Sequence, residues 1–321
     1  MTDNVIVLAG GLSHERDVSL RSGRRVAQAL RDTGHTVLEA DVNASLLDTI
    51  AAVADPVVFP VLHGGAGEDG ALRSVFDLLD IRYVGSTGPA SRIAFDKAVS
   101  TPVVAARAAG FRTPRQSSLP HDMFRELGAA NLIAALGEQI GFPMMVKPAR
   151  SGSALGCTKV TQASELPAAI VAAFAYGDIA IVEEFIEGVE VSVSVIDLGD
   201  GPQALPAVEI QPRSGVYDYT ARYTAGETRF VTPADISDAE AARCAELALA
   251  AHQALGLRDL SRTDIIVCDG EPVFIEVNVA PGMTETSLLP QGIEASDSSF
   301  AEVCSALVAV ARRRAEGTEP A

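Results

Sequence analysis

The chain has 321 residues, 48% of them hydrophobic, no tryptophan and a formal net charge of −17; that is enough apolar content to bury cores in two or three domains. The acidity argues against a general nucleic-acid binder, whose footprint is a basic face, and means that an anionic substrate must be held by a few local cations. No segment approaches the ~20 apolar residues of a membrane span. The apolar run 5–9 is too short and lacks the basic flank of a signal peptide. Cys157, Cys244, Cys268 and Cys304 form no CxxC pair, which fits reduced thiols in a cytosol better than a disulfide frame or a zinc site.

From the start, V-I-V-L-A runs into Gly10-Gly11 and an amphipathic stretch opening L-S-H-E-R. This predicts strand, tight turn and helix, with Ser13 as the cap and Glu15 in the first turn. There Glu15 either complements the helix dipole or faces a ligand. T-V-L-E-A, a helix near 46–54 and P-V-V-F-P-V-L continue an alternation that predicts an α/β fold with a mostly parallel sheet. The next segment, H-G-G-A-G-E-D-G, contains G-x-G-x-x-G at Gly65, Gly67 and Gly70. A dinucleotide site needs a carboxylate about 20 positions on, and none is there; no Walker-type loop occurs either. His63, at the strand's end, is either ligand-facing or a packing histidine.

The middle opens with a helix-like stretch at Asp96-Lys97, then a turn G-F-R-T-P into a strand. Gly141-Phe142-Pro143 leads into the strand M-M-V-K, closed by Lys147 and followed by the glycine-rich loop 150–156. Backbone N–H groups of such a loop can cradle phosphate oxygens, which favours a functional Lys147 over an edge lysine. I-A-I-V-E-E is an apolar strand ending in Glu183-Glu184. E-V-S-V-S-V-I alternates, placing Glu190, Ser192 and Ser194 on one face. Residues 211–232 show no periodicity, and their tyrosines and arginines suit a lid of about 20 residues over a site. Ser237 and Glu240 form a capping box opening a helix to about Gly256, in which His252 is structural.

Residues 261–290 carry the strongest pattern: two β-branched runs around a Gly/Pro turn, read as a hairpin. Alternation puts Arg262 and Asp264 on one face of the first strand, and Glu276 and Asn278 on one face of the second. For these to share a face, the turn needs an odd loop or a bulge; Glu271 and Pro272 are the expected extra length. Asp264, Glu276 and Asn278 are hard oxygen donors suited to Mg²⁺ with substrate phosphates, unless the face is merely solvated. A helix over about 300–314 and an irregular tail close the chain.

Lys97, Lys147 with its glycine loop, the tyrosine-bearing lid, S-R-T-D, F-I-E-V-N-V-A-P-G-M-T and S-L-L-P occur in the order seen in ATP-grasp ligases. More narrowly, G-G-x-S-x-E-R-x-V-S, L-H-G-x-x-G-E-D-G and Y-D-Y-x-A-x-Y make the chain resemble the D-alanine–D-alanine ligases of peptidoglycan synthesis, over residues 5 to about 310. It departs from the family pattern at Thr220, Arg222 and Ala154, where glutamate, lysine and serine are usual, and at Val279, where threonine is. The resemblance implies an α/β, partly α+β, ATP-grasp fold of three domains. These are a Rossmann-like open sheet (1–97), a central subdomain with the phosphate loop (98–183) and a C-terminal subdomain with lid and metal site (184–321), the last two clamping the nucleotide.

It further implies ATP as co-substrate, two Mg²⁺ ions on Asp264, Glu276 and Asn278 with Mn²⁺ as a substitute, and a cytoplasmic homodimer acting on D-alanine. Lys97, Lys147 and Arg222 would hold phosphates, and Glu183 and Glu190 the adenine and ribose sides. Arg262 and the Gly282 N–H would stabilise the oxyanion. Glu15 would take the first ammonium through Ser153 and Tyr223, with His63 in the substrate site, and Ser287 and the Leu288 N–H the second carboxylate. Two other readings are a dipeptide or depsipeptide ligase with a different second substrate, and a nucleotide-binding homologue without catalysis.

Overall fold

The computed structural model of the chain describes residues 3–217, 221, 222, 224 and 226–315. Strand and helix alternate first as β1 (Asn4–Leu8), α1 (Arg16–Asp32), β2 (Thr36–Ala40), α2 (Leu46–Ala52), β3 (Pro56–Pro60), α3 (Ala71–Leu78) and β4 (Arg82–Tyr83), then α4 (Gly88–Phe95) and α5 (Lys97–Arg107). The strands are parallel in the order β2-β1-β3-β4. β1 is apolar from Val5 to Leu8 because both of its faces are covered there. Val5 and Val7 pack with Val26 and Leu30 of α1, whereas Ile6 and Leu8 pack with Ile50 of α2 and Phe76 of α3.

One local expectation changes here. Glu15, not Ser13, stands at the N-cap of α1, because the Ser13 hydroxyl is drawn away to donate to the His63 carbonyl at 2.5 Å. The glycines after His63 serve close packing rather than phosphate approach. A Cβ on Gly67 would lie 2.7 Å from the Leu62 Cβ, and one on Gly70, at φ +81°, would lie 2.1 Å from the Gly88 carbonyl oxygen.

The second sheet is antiparallel, in the order β5-β8-β6-β7. Its elements are β5 (Gln116–Pro120), α6 (His121–Leu127), α7 (Ala129–Ile140), β6 (Met144–Pro148), β7 (Thr158–Val160), α8 (Leu166–Phe174) and β8 (Ile179–Glu184). Leu136 and Ile140 of α7 and Leu166 and Ile170 of α8 bury Met144, Val146 and Val182. The third part comprises β9 (Val189–Asp197), β10 (Pro202–Ala204), β11 (Val208–Pro212), β12 (Thr228–Val231), α9 (Asp238–Ala254), β13 (Leu260–Cys268), β14 (Glu271–Asn278), α10 (Leu288–Ala295) and α11 (Phe300–Ala315). Its strands run β12-β11-β9-β13-β14, with β10 beside β9. The expected structureless lid is shorter than residues 211–232, because Thr228–Val231 pairs antiparallel with β11. α11 returns to the first sheet, where Val303 and Leu307 join the core with Val26 and Leu30.

One face of the third sheet is apolar and the other polar. Val191, Val193, Ile265, Phe274 and Val277 pack under α9, whose capping box at Ser237 and Glu240 is formed as expected. The opposite face carries Glu190, Ser192, Arg262, Asp264, Glu276 and Asn278. In the β13–β14 hairpin Arg262 stands opposite Asn278 and Asp264 opposite Glu276, with a bulge after Asp264 that leaves Ile275 unpaired. The required slip therefore comes from the bulge. Glu271 and Pro272 are not loop: they pair with Cys268 and Val267, and the turn is Asp269-Gly270, both at positive φ. Pro272 is tolerated because β14 ends the strand order.

His252 on α9 is buried and its Nδ1 lies 2.8 Å from the Ser261 hydroxyl. Burial pushes its pKa down to about 4. The folded state therefore resists a proton that the unfolded chain accepts below about 6.5. Stability from this group is full above pH 6.5 and is lost as the pH falls toward 4. Between pH 7 and pH 5 the loss should be about 2 kcal/mol. Thermal melts at the two pH values should show a smaller acid shift for His252→Gln than for the parent; equal shifts would reject this assignment.

Candidate active site

The polar face of the third sheet, the β6–β8 pair of the second and the open end of the first enclose two adjoining cavities. One, of about 350 Å³, is lined by Lys147, Glu183 and Glu190 among others. The other, of about 530 Å³, is lined by Glu15, His63, Ser153, Arg262, Gly282, Ser287 and Leu288 among others. Lys97, Ser151, Tyr217, Arg222 and Glu276 belong to both and mark the junction.

In the first cavity the antiparallel pairing of β6 with β8 sets Lys147 beside Glu183, Nζ to Oε1 2.7 Å, both almost fully buried. Burial penalises the Lys147 charge, but Glu183 and Glu276 outweigh it and raise its pKa. Glu183 Oε2 has no hydrogen-bond partner among the described residues. Glu190 is pushed up to about 7 by burial, against the pull of Arg222. Arg222 stacks on the Tyr217 ring at 4.1 Å and its Nε donates to the Tyr217 carbonyl.

At the junction, Lys97 starts α5 and donates to the Ser151 carbonyl at 2.7 Å, with Glu276 Oε2 at 3.2 Å. Burial alone would raise the Glu276 pKa. Lys97, Lys147, Arg222 and Arg262 together overcome it and hold the carboxyl down at about 2. Arg262 grips Asp264 with two hydrogen bonds of 2.8 Å, and the Ser192 hydroxyl donates to the same carboxylate. The Asn278 side-chain oxygen accepts from the Ala280 N–H at 2.8 Å, which leaves it a second lone pair. Among the described residues no three His, Cys, Asp or Glu groups converge as a metal cluster. Two carboxylates facing each other across paired strands, with an amide oxygen on the same face, are nonetheless a donor set whose chemistry fits Mg²⁺.

The second cavity joins chain segments far apart in sequence. The Ser153 hydroxyl, in the glycine loop at φ +53°, donates to Glu15 at the start of α1. His63 is buried, with Nδ1 3.0 Å from the Ala280 carbonyl and Nε2 3.4 Å from the Ser22 hydroxyl, so it is at once a packing histidine and a wall of the cavity. The Ser287 hydroxyl accepts from the Thr284 N–H at 3.0 Å. A Cβ on Gly282 would lie 2.7 Å from that hydroxyl, so only glycine fits beside it. Tyr223 and Thr220 lie outside the described residues. Every other expected site residue lines one of the two cavities. Sequence reasoning placed Tyr217 only among the lid tyrosines, gave Glu68 no role, and passed over the Arg150–Asp96 ion pair at 2.8 Å that ties the glycine loop to α5. Glu68 stood in plain view inside H-G-G-A-G-E-D-G.

A family model described as "D-ala D-ala ligase C-terminus" matches residues 109–309, and one described as "D-ala D-ala ligase N-terminus" matches residues 39–86. The chain is 37% identical to a D-alanine–D-alanine ligase of Fervidobacterium nodosum, over 96% of this chain and 98% of that protein. It is 40% identical to one of Anaeromyxobacter sp. (strain K), over 94% of each. Among solved structures, a D-alanine–D-alanine ligase of Bacillus anthracis superposes with a TM-score of 0.83 at 27% identity, covering 99% of this chain and 100% of that one. The VanG D-Ala:D-Ser ligase of Enterococcus faecalis superposes with a TM-score of 0.82 at 30% identity, covering 97% and 100%.

Proposed function

The chain belongs to the D-alanine–D-alanine ligase family, with that family's ATP-grasp fold, and from that premise we propose that it joins two D-alanine molecules at the expense of ATP to supply a peptidoglycan precursor. The observation that carries this reading is the meeting of the two cavities at Lys97, Arg222 and Glu276. Nucleotide and amino acid can then exchange a phosphoryl group there without either leaving its pocket.

A carboxylate is a poor acyl donor, so the first D-alanine is phosphorylated and the amine of the second attacks the acyl phosphate, releasing phosphate. Lys147 and Lys97 hold the phosphates, and Glu183 and Glu190 take the adenine and ribose sides. Asp264, Glu276 and Asn278 would hold Mg²⁺, as two ions replaceable by Mn²⁺, which would supply neutralisation of phosphate charge. Arg222 places a fixed cation at the junction in the position where the family usually has lysine. Arg262 and the Gly282 N–H face the oxyanion. Glu15, oriented by Ser153, receives the first ammonium beside His63, and Ser287 with the Leu288 N–H receives the second carboxylate. Tyr223 completes the Glu15–Ser153 set in this reading.

We take residues 1–97, 98–183 and 184–321 as three domains, each centred on one sheet, the last lending α11 to the first core. Among the described residues no helix is long and apolar enough to cross a membrane. With ATP as co-substrate and free cysteines, we place the enzyme in the cytoplasm, as a homodimer that light scattering would test.

The decisive measurement is ATP-dependent phosphate release with D-alanine alone, with mass analysis of the product. The expected product is D-alanyl-D-alanine. Phosphate release that requires D-serine or D-lactate would transfer the chain to the ligases with a different second substrate, and no release with any of them would reject the ligase reading.

A further inference from the structure

Behind His63 and Val279, which also line the amino-acid cavity, lies a much smaller cavity of about 10 Å³. It has room for one water-sized particle. Its walls are largely apolar, from Phe59, Val61, Val84, Leu260 and Met283, and the charged group in its lining is Arg73 of α3.

Arg73 is only 3% exposed. Its Nη1 donates to the Gly67 carbonyl, but its Nε is buried without a hydrogen-bond partner among the described residues. That unused edge faces the cavity, because a Cβ built on Gly85, another lining residue, would lie 3.8 Å from Nε and 3.7 Å from Nη2. Among the described residues no carboxylate forms an ion pair with the guanidinium. Glu68 attracts it from farther off and is itself pushed up to about 7 by burial, so it supplies less than a full charge at neutral pH. Burial lowers the Arg73 pKa, yet a guanidinium keeps its proton over any working range. The fold thus encloses a cation with an unused donor and no matched anion, an arrangement that is costly unless something of opposite charge sits beside it.

The rest of the wall decides what can fill the space. The Gly85 N–H donates to Asp259 at 2.6 Å and its carbonyl accepts from Arg258 at 2.7 Å. The Ala280 N–H donates to Asn278, and the Ala280 carbonyl lies 3.0 Å from His63 Nδ1. A water here would accept from Arg73 Nε, but it would need acceptors for two protons among groups already engaged, and it would leave the charge uncancelled. An anion needs only the donor. Carboxylates, phosphates and sulfates are too large, whereas chloride and bromide are single atoms not much larger than a water. We propose that this cavity is a binding site for a monovalent halide ion, held by Arg73 Nε between α3, the end of β4 and the loop after β14. Bound there, the ion braces the wall that His63 and Val279 present to the amino-acid cavity. The site does not depend on what the two larger cavities bind.

Two measurements on the full chain test this. Crystals grown in sodium bromide, with data collected at the bromine absorption edge, should show an anomalous peak within hydrogen-bond reach of Arg73 Nε. In solution, the thermal midpoint should rise by about 3 °C between 10 and 300 mM sodium chloride relative to sodium gluconate. Gluconate at equal ionic strength matches the screening but is too large for the cavity. Arg73→Gln removes the charge, so the difference between the two salts should vanish; Arg73→Lys keeps the charge and should retain part of it. A cavity without bromine signal overturns the inference, and so do equal midpoints of the parent in the two salts. An Arg73→Gln protein that folds and keeps the parent's chloride dependence overturns it as well. Should Arg73→Gln not fold, the bromide map and the parent's salt comparison still decide.

Discussion

Glu276→Gln is expected to lower ligase turnover by at least about a hundredfold while the chain still folds. The substitution is nearly isosteric and changes one charge. That charge sits where the two cavities meet, opposite Asp264 in register and 3.2 Å from the Lys97 ammonium. With a pKa held at about 2, Glu276 is ionised throughout any working range. The parent therefore always presents the anion, and glutamine never does. Loss of the anion weakens a divalent ion's hold on this face and frees Lys97 from its partner, so turnover and the Mg²⁺ dependence should move together. Steady-state rates over a Mg²⁺ titration, with circular dichroism as the check on folding, separate the outcomes. Parent-like turnover at limiting Mg²⁺ would remove Glu276 from the metal set.

What the sequence revealed of this site follows from the range of the interactions. The polar face of the β13–β14 hairpin was legible because alternation in a strand is local; the need for a slip was legible for the same reason. Its location was not, since either a longer turn or a bulge satisfies the same parity, and the bulge at Ile275 is fixed by pairing on both edges of β13. β12 is short and carries Arg229 between Thr228 and Phe230, so it shows no clean period and is defined only by its partner β11. α6 and α7 carry few buried residues, which leaves no strong stripe to read. The Glu15–Ser153 bond spans 138 positions, and no composition or spacing rule reaches across that distance; only the family resemblance brought those residues together. The Lys147–Glu183 pair depends likewise on strand order, with β6 lying between β8 and β7.

That last pair gives the other large expected effect. Lys147→Met keeps volume and removes the ammonium 2.7 Å from Glu183, leaving a carboxylate that is 5% exposed with no cation beside it. Removing one partner of a buried pair costs about 3–5 kcal/mol, mostly through the charge left behind. The cost should depend on pH. Burial already raises the Glu183 pKa above its ordinary value, and loss of Lys147 raises it further. A raised carboxyl binds a proton in the folded state that the unfolded chain has released. Stability is therefore retained below about pH 4.5 and lost as the pH rises toward the folded pKa. Chemical denaturation at pH 5 and pH 8 should show the larger deficit at pH 8. Adding Glu183→Gln to Lys147→Met should recover most of the stability, because no buried charge then remains. It should not recover ATP affinity, which is expected to stay at least about tenfold weaker for want of a cation at the phosphates. If the doubly substituted protein binds ATP as tightly as the parent, Lys147 serves only to neutralise Glu183, and the phosphates must be held by Lys97 and Arg222.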